Sequence, residues 1–157
     1  MKKIFLSLFV VLTMLALSAC ANDIQSTDLS RIMFDRVSVG DAFEQIKTDK
    51  YTLSTRYPED DNTYNYEEWR VSVDGDIIAK ITASFETITI SVNGRENCRS
   101  IDDIISILGK NYDSYWYDKE QGLMQIEYWD KENKMQCIFV YDKNSSELVL
   151  GIMQAVS

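Results

Sequence analysis

The chain has 157 residues, which is enough for one domain of ordinary size and excludes a multidomain enzyme. It contains no histidine, so it lacks the commonest general base, the commonest zinc ligand and every Ser-His or Cys-His nucleophile pair. Its 25 acidic residues outnumber 16 basic ones, and this balance argues against nucleic acid as a partner because phosphates are bound mainly by lysine and arginine. The composition therefore indicates neither an enzyme nor a cofactor.

The first twenty residues are organised like a secretion signal. Lys2 and Lys3 give a positive start, and an uncharged apolar run follows from 4 to 17. That run is shorter than the roughly 20 residues that span a bilayer. It ends in the segment 17–20 (Leu-Ser-Ala-Cys), which resembles the bacterial lipobox, where a signal peptidase cleaves before a cysteine that carries a diacylglycerol. The alternatives are an uncleaved anchor and a plain secretory signal with an incidental Cys20.

The lipobox resemblance implies a mature protein that begins at Cys20 and is lipid-anchored at the extracytoplasmic face of a bacterial membrane. Residues 1–19 are then a cleaved signal peptide, and the mature chain carries 14 basic and 25 acidic residues, a net charge of −11. Acyl chains, at about 0.8 kcal/mol for each buried CH₂, hold such a protein on a bilayer without a spanning segment. The polar residues 20–30 form a tether in this interpretation, and 31–157 form the globular region.

The globular region contains the same helix signal twice. Residues 38–41 (Ser-Val-Gly-Asp) have the form of a capping box, and apolar residues recur at helical spacing between 39 and 46. Ser100 and Asp103 repeat the box before a second apolar stripe, which Gly109 closes. Two helices are therefore expected.

Strand and hairpin signals follow each predicted helix, so the sequence predicts an α+β fold. In this interpretation two tandem helix-plus-antiparallel-meander units, about 37–94 and 98–155, form one sheet-and-helices domain. The fourth strands of the two units would be equivalent, with Ile90 and Val92 matching Leu150 and Ile152. The alternative is that these echoes arise by chance.

One predicted strand carries a conflict between two signals. Simple alternation turns Met124, Ile126 and Tyr128 inward, whereas the repeat pairs Trp129 with the inward-facing Trp69 of an earlier strand. Local alternation is the more direct signal, so Trp129 is expected to lie exposed or half-covered.

A family resemblance rests on the tandem units together with three short motifs. These are the box at 38–41, the Leu-Gly pair at 108–109, and Tyr112 and Trp116 after it. Over about 37–155 the chain resembles the architecture of beta-lactamase inhibitor proteins and of small outer-membrane assembly lipoproteins. The resemblance implies a curved sheet that presents aromatic and acidic side chains to a partner, and hence a role in protein binding or inhibition.

Acidic pairs are plentiful, but their contexts favour structural roles. Residues 74–76 (Asp-Gly-Asp) suit a hairpin turn, and 102–103 (Asp-Asp) fall in a first helical turn, where negative charge suits the helix dipole. Residues 142–147 begin like a calcium loop, yet Glu147 replaces the glycine of its sharp bend and Met153 its bidentate acid. We therefore expect no catalytic residue and no metal site.

Two cysteines remain once Cys20 is acylated. In an extracytoplasmic chain a disulfide between Cys98 and Cys137 is the simplest expectation. One alternative is that Cys137 is a small buried strand residue and Cys98 a free loop thiol. Another is that Arg95 and Arg99 lower the pKa of Cys98 and make it reactive.

Aromatic side chains beside acidic ones are typical of protein-binding hot spots and their rims. The alternative is that these aromatics cover a sheet edge or pack beneath the helices. The candidate partner-binding residues are Tyr64, Tyr66, Tyr115, Trp116, Tyr117 and Trp129.

The sequence thus predicts a membrane-anchored extracytoplasmic lipoprotein that acts as a protein-binding or inhibitory module with a protein partner in the cell envelope. The rival is a small-ligand-binding carrier or an enzyme with a pocket between helix and sheet; such a pocket would need convergent polar residues. A third hypothesis, a structural lipoprotein within a membrane complex, differs from the first only in its partner.

Overall fold

The computed structural model describes residues 25–57 and 60–156. The predicted signal peptide, the lipobox with Cys20 and the first part of the tether lie outside these residues. The described chain contains one α-helix, α1 (Ile101–Leu108), and two 3-10 helices, Phe43–Gln45 and Thr48–Lys50. Its strands are β1 (Ile32–Phe34), β2 (Thr63–Asn65), β3 (Trp69–Asp74), β4 (Ile77–Ser84), β5 (Ile90–Val92), β6 (Arg95–Glu96), β7 (Asp113–Asp118), β8 (Leu123–Asp130), β9 (Met135–Asp142) and β10 (Leu148–Ala155).

Seven strands form one antiparallel sheet in the order β2-β3-β4-β10-β9-β8-β7. Two meanders make up this sheet, and they meet where β4 pairs with β10, with Gly151 opposite Ala83. The remaining strands form a small sheet in the order β1-β5-β6. Strands β2 and β7 are therefore the two edges of the large sheet.

The core lies on one face of the large sheet, beneath α1 and the small sheet. Phe34 of β1 stacks on Phe85 with ring centroids 6.3 Å apart, and both rings lie directly over Gly151 of β10. The Tyr128 hydroxyl donates to the Gly109 carbonyl at the end of α1, at 2.8 Å. These contacts place the helix and the small sheet on the same side of the large sheet.

The second predicted helix is confirmed, with its cap. The Ser100 hydroxyl accepts from the Asp103 backbone N–H at 3.2 Å, and the Asp103 carboxylate accepts from the Ser100 backbone N–H at 3.4 Å. Gly109 ends the helix at a positive φ of 84°. Ile101, Ile104 and Leu108 turn into the core, as the apolar spacing predicts.

The first predicted helix does not form, although half of its capping box does. The Ser38 backbone N–H donates to the Asp41 carboxylate at 2.7 Å, but Gly40 takes a φ of +95°, which no right-handed helix contains. The segment instead pairs with the start of β4. Gly40 N–H donates to the Ile78 carbonyl and Ile78 N–H to the Asp41 carbonyl, both at 2.9 Å. A sheet partner distant in sequence has outweighed the local helix signal.

The predicted α+β fold of two tandem helix-plus-meander units is wrong. The described residues are 48% strand and 11% helical, and they contain one α-helix rather than two. The proposed equivalence of the fourth strands also fails, because Ile90 and Val92 pair with β1 in the small sheet whereas Leu150 and Ile152 lie in the centre of the large one. The fold is a mostly β assembly of two antiparallel sheets with a single helix.

Local alternation in β8 is confirmed as the better guide. Ile126 and Tyr128 are buried in the core, and Trp129 is half-buried on the opposite face. Trp69 is also buried in the core, so it and Trp129 are not equivalent. This alternation separates the core side chains of the large sheet from those that are free to meet a ligand or partner.

The beginning of the described chain is fastened to the β8–β9 turn. Asp130 is 2% exposed, and its carboxylate accepts from the Leu29 backbone N–H at 2.9 Å. The same carboxylate accepts from the backbone N–H groups of Glu132 and Asn133 and from the Asn133 side chain. Leu29 is fully buried and Thr27 nearly so, although both lie within the predicted tether 20–30. Ordered structure therefore begins before residue 30.

Candidate functional site

The outer edge of β7 carries three adjacent aromatic side chains, Tyr115, Trp116 and Tyr117. We call this group the aromatic edge. Their exposed fractions are 51%, 45% and 47%, the largest run of exposed aromatic surface among the described residues. Strand β7 pairs with β8 on one side only and has no strand on its other side among the described residues. The aromatic edge is therefore open to a partner.

A bulge and charged ends shape this edge. Tyr115 pairs with Gln125 and Trp116 with Met124, but the register shifts before Asp118, which leaves Tyr117 without a cross-strand partner. Lys143 lies over the Trp116 ring at 4.9 Å from its centroid. The bulge and the acids that end β7 oppose backbone pairing with another strand. A partner would therefore contact this edge through side chains.

The face of the large sheet opposite the core continues from the aromatic edge. We call it the open face. Its side chains come from alternate residues, and one row runs from Tyr115 through Gln125 and Val140 to Leu150. The neighbouring row places Ile138 beside Ile152. An apolar patch therefore lies at the centre of the open face, formed by the partly exposed Leu150, Ile138 and Ile152 around the fully buried Val140.

A chain of side-chain amides crosses the open face beside this patch. Gln154 donates to Gln136 at 2.5 Å, and Gln136 donates to the Glu127 carboxylate at 2.5 Å. Trp129 lies next to Gln136 in the same row. These bonds join β10, β9 and β8, so they hold the polar part of the face in one arrangement before any partner arrives.

Charge is distributed unevenly across the open face. Arg70 and Lys80 lie at the β3–β4 side, where the Arg70 guanidinium stacks on Tyr57 at 4.1 Å from the ring centroid. Asp113 and Glu127 lie opposite each other at the β7–β8 side. The face thus runs from positive through apolar to negative. Alternation in β3 and β4 is the sequence signal that could have indicated Arg70 and Lys80.

The six predicted partner-binding residues do not form one surface. Tyr66 is only 7% exposed and packs against Tyr51, so it is unavailable to a partner and the prediction that it binds one is wrong. Tyr64 lies at the opposite edge, on β2, and stacks on Phe43 with centroids 4.0 Å apart. Trp129 lies on the open face and is half-buried. Only the aromatic edge, with Trp129 on the adjoining face, remains as a candidate binding region.

Cys98 and Cys137 are both buried and both carry free thiols. Burial, followed by the nearby Asp103 carboxylate, raises the pKa of Cys98, and these effects outweigh the opposing effect of Arg95. Arg95 is itself paired with Asp103 at 2.6 Å, and Arg99 donates to the Phe85 carbonyl. Burial alone raises the pKa of Cys137. Neither thiol has the electropositive setting of a reactive cysteine.

We expect the two thiols to be unreactive in the folded protein and fully reactive after unfolding. In a Cys20→Ala chain, titration with Ellman's reagent without reductant should detect almost no thiol under native conditions and two thiols per chain in denaturant. A count of zero in denaturant would show that Cys98 and Cys137 are bridged.

Within the described residues, no group of three or more acidic or cysteine side chains is placed to hold a metal ion. None of the helices described is both long and apolar enough to cross a membrane. Comparison with known family models, with curated proteins and with solved structures finds no match.

Proposed function

We propose that this protein is a membrane-anchored extracytoplasmic lipoprotein whose domain binds a partner protein through the aromatic edge and the adjoining open face. The observation that carries the proposal is the run of three adjacent aromatics at the edge of the large sheet, each about half exposed, of which Tyr115 is in register with the open face and Trp116 with the core-facing Met124. Large exposed aromatics on a monomer are costly to leave in water and are enriched at the centres of protein interfaces.

The chemistry of the open face specifies the kind of partner. Its centre is apolar, its β3–β4 side carries Arg70 and Lys80, and its β7–β8 side carries Asp113 and Glu127. A complementary partner has an apolar strip flanked by acids on one side and bases on the other. Such complementarity fixes orientation and speeds association more than it raises affinity. It also predicts that association slows as salt is added.

The lipid anchor on Cys20 gives this binding module its location. With a net charge of −11 after cleavage, the mature chain is repelled by anionic lipid headgroups, which favours a domain held off the bilayer on its tether. The partner in this proposal is a protein of the cell envelope. An inhibitor and a scaffold would both use such a surface, and the identity of the partner distinguishes them.

We expect alanine at Tyr115, Trp116 and Tyr117 together to abolish partner capture, because truncation removes the aromatic surface that the partner buries. A photo-crosslinking amino acid at Gln125, on the open face, should capture the same protein repeatedly in cells. The same amino acid at Ser106, on the exposed side of α1, should not.

Two controls define this experiment. Alanine at Leu53 and Tyr64, which are also exposed but lie away from the aromatic edge, should leave capture unchanged. A Cys20→Ala chain, which cannot be acylated, should lose capture of a membrane-bound partner in cells. Unchanged capture by a folded triple-alanine variant would dismiss the aromatic edge as the binding site.

A further inference from the structure

A cavity of about 170 Å³ lies between the turn that follows β1, the segment that contains the two 3-10 helices, and Trp69 of β3. We call it the Trp69 cavity. It is smaller than the roughly 300–1,000 Å³ of sites for drug-sized ligands, but it exceeds the roughly 30 Å³ occupied by one water several times over. The cavity is therefore of the size for a small ion or the end group of a larger molecule.

Trp69, one of the residues that line this cavity, carries a hydrogen-bond donor with no acceptor among the described residues. Trp69 is 3% exposed, and its indole Nε1 is buried without a partner among the described residues. A buried donor left unpaired costs free energy that an acceptor oxygen in the cavity would recover. The Trp69 ring itself is held by Tyr51, with centroids 4.8 Å apart.

The charged side chains around the cavity are mostly positive, in contrast to the chain as a whole. Arg36, Lys47 and Lys50 line it together with one acid, Asp35, while the neighbouring acids of the same segment do not line it. Asp35 is already engaged, because the Tyr51 hydroxyl donates to it and Lys50 lies 3.8 Å from its carboxylate. Burial, and then the bond to Asp35, raises the pKa of Tyr51, so that hydroxyl remains a donor.

Two positive side chains at the cavity form no ion pair with any described residue. Neither Arg36 nor Lys47 forms an ion pair in the part of the chain that the structure describes. A phosphate monoester carries a charge of about −1.5 to −2 at neutral pH and three acceptor oxygens. It matches both the two uncompensated cations and the unpaired indole N–H.

The turn that carries Arg36 is held in place by backbone bonds. Phe34 and Val37 exchange backbone hydrogen bonds at 2.8 and 3.1 Å, and the Asp35 N–H donates to the Thr89 carbonyl at 2.8 Å. Asp35 and Arg36 both have positive φ, 43° and 75°, where hairpin turns favour asparagine and glycine. The chain therefore keeps an arginine at the cavity despite an unfavourable backbone conformation.

We propose that the Trp69 cavity is a binding site for a phosphate group, with Arg36 and Lys47 as its cationic ligands and the Trp69 indole N–H as a neutral donor. The phosphate is either free inorganic phosphate or the monoester headgroup of a phospholipid in the membrane beneath the domain. This site is separate from the aromatic edge and does not depend on the protein-binding proposal.

The test uses Trp69 as its own reporter. In the mature protein with Trp116→Phe and Trp129→Phe, Trp69 is the one tryptophan left. Sodium phosphate should change its fluorescence in a saturable way, whereas sodium chloride at the same ionic strength should not. Arg36→Gln and Lys47→Gln should each raise the phosphate Kd at least tenfold. The matched surface variants Lys110→Gln and Lys119→Gln should leave it within twofold.

Trp69→Phe keeps an aromatic ring but removes the N–H, and calorimetry should show a Kd raised several-fold in a protein that still unfolds cooperatively. Vesicles of phosphatidylcholine with and without phosphatidic acid separate the two sources. Competition by phosphatidic acid assigns the site to a lipid headgroup, and its absence assigns it to free phosphate.

The proposal is overturned if phosphate gives no saturable change, if chloride reproduces the change, or if the Arg36 and Lys47 variants bind phosphate as the unsubstituted protein does. Partner crosslinking at Gln125, measured on the same variants, reports separately on the protein-binding proposal. The two can therefore fail independently.

Discussion

Valine in place of Gly151 is expected to lower the free energy of unfolding by about 3 kcal/mol, at the upper end of the usual cost of overpacking a core. Gly151 lies in the central strand β10, and a Cβ added there would be 2.6 Å from Phe85 Cζ and 2.7 Å from Phe34 Cε1. Both rings are buried in the core, so neither can swing into water. The missing side chain is what lets the small sheet approach the large one.

Urea denaturation of the two variants Gly151→Val and Ala155→Val checks this prediction. Ala155 lies in the same strand but is exposed, so its substitution should change stability by less than about 0.5 kcal/mol. Adding Phe85→Leu to Gly151→Val should recover part of the lost stability, since the two side chains share one space. Equal midpoints for the two valine variants would mean that the Phe rings do not constrain Gly151.

Alanine in place of Asp130 is expected to lower the free energy of unfolding by about 3 kcal/mol, because it leaves several buried N–H donors without an acceptor. The Leu29 N–H is the most buried of them and has no access to water in this position. Asp142 offers a matched control, since its carboxylate accepts the backbone N–H groups of Asn144 and Ser145 in the same kind of turn, but at the surface. Asp142→Ala should therefore lower the free energy of unfolding by only a small fraction of the amount expected for Asp130→Ala.

The Asp130 carboxylate should make the stability of the protein depend on pH below the ordinary Asp pKa of 3.8. Burial by itself raises the pKa of Asp130, but the bonds from Asn133, Leu29 and Glu132 together lower it below that value. A lowered pKa means that the stabilisation is complete above pH 3.8 and is lost as the pH falls through the folded-state pKa. Thermal unfolding of Asp130→Asn should lack this part of the acid dependence, and identical profiles for both proteins would contradict the assignment.

Much of the strand pattern could be predicted from the sequence, because it depends on neighbours in the chain. The turn at Gly75 joins β3 to β4, and the box at Ser100 begins α1, both as their local residues indicate. The box at Ser38 did not give a helix, because Gly40 adopts a positive φ and the backbone there pairs with β4. Local signals held wherever no distant partner competed for the same backbone groups.

The pairing of the strands into two sheets could not be predicted, because it depends on partners that are distant in the sequence. A strand such as β5 carries no sign that it will pair with β1 rather than with β4, since that choice is decided by contacts far apart in the sequence. The aromatic edge could be located because Tyr115 to Tyr117 are consecutive and a strand can bury only alternate residues on one face. The Trp69 cavity could not, because Arg36, Lys47 and Trp69 come from three separate segments.

The hydrogen bond between Leu29 and Asp130 limits the length of the tether that joins the domain to the membrane. Thr27 N–H also donates to the Trp129 carbonyl at 2.8 Å, and the Lys131 N–H donates to the Ser26 hydroxyl at 2.9 Å, so the chain is fixed to the sheet from residue 26 onward. With the lipid on Cys20, as we propose, six residues at no more than about 3.5 Å each give a maximum reach of about 21 Å. The β8–β9 turn then stays within that distance of the bilayer. Residues inserted before Gln25 would lengthen that radius while leaving the fold and both proposed sites intact.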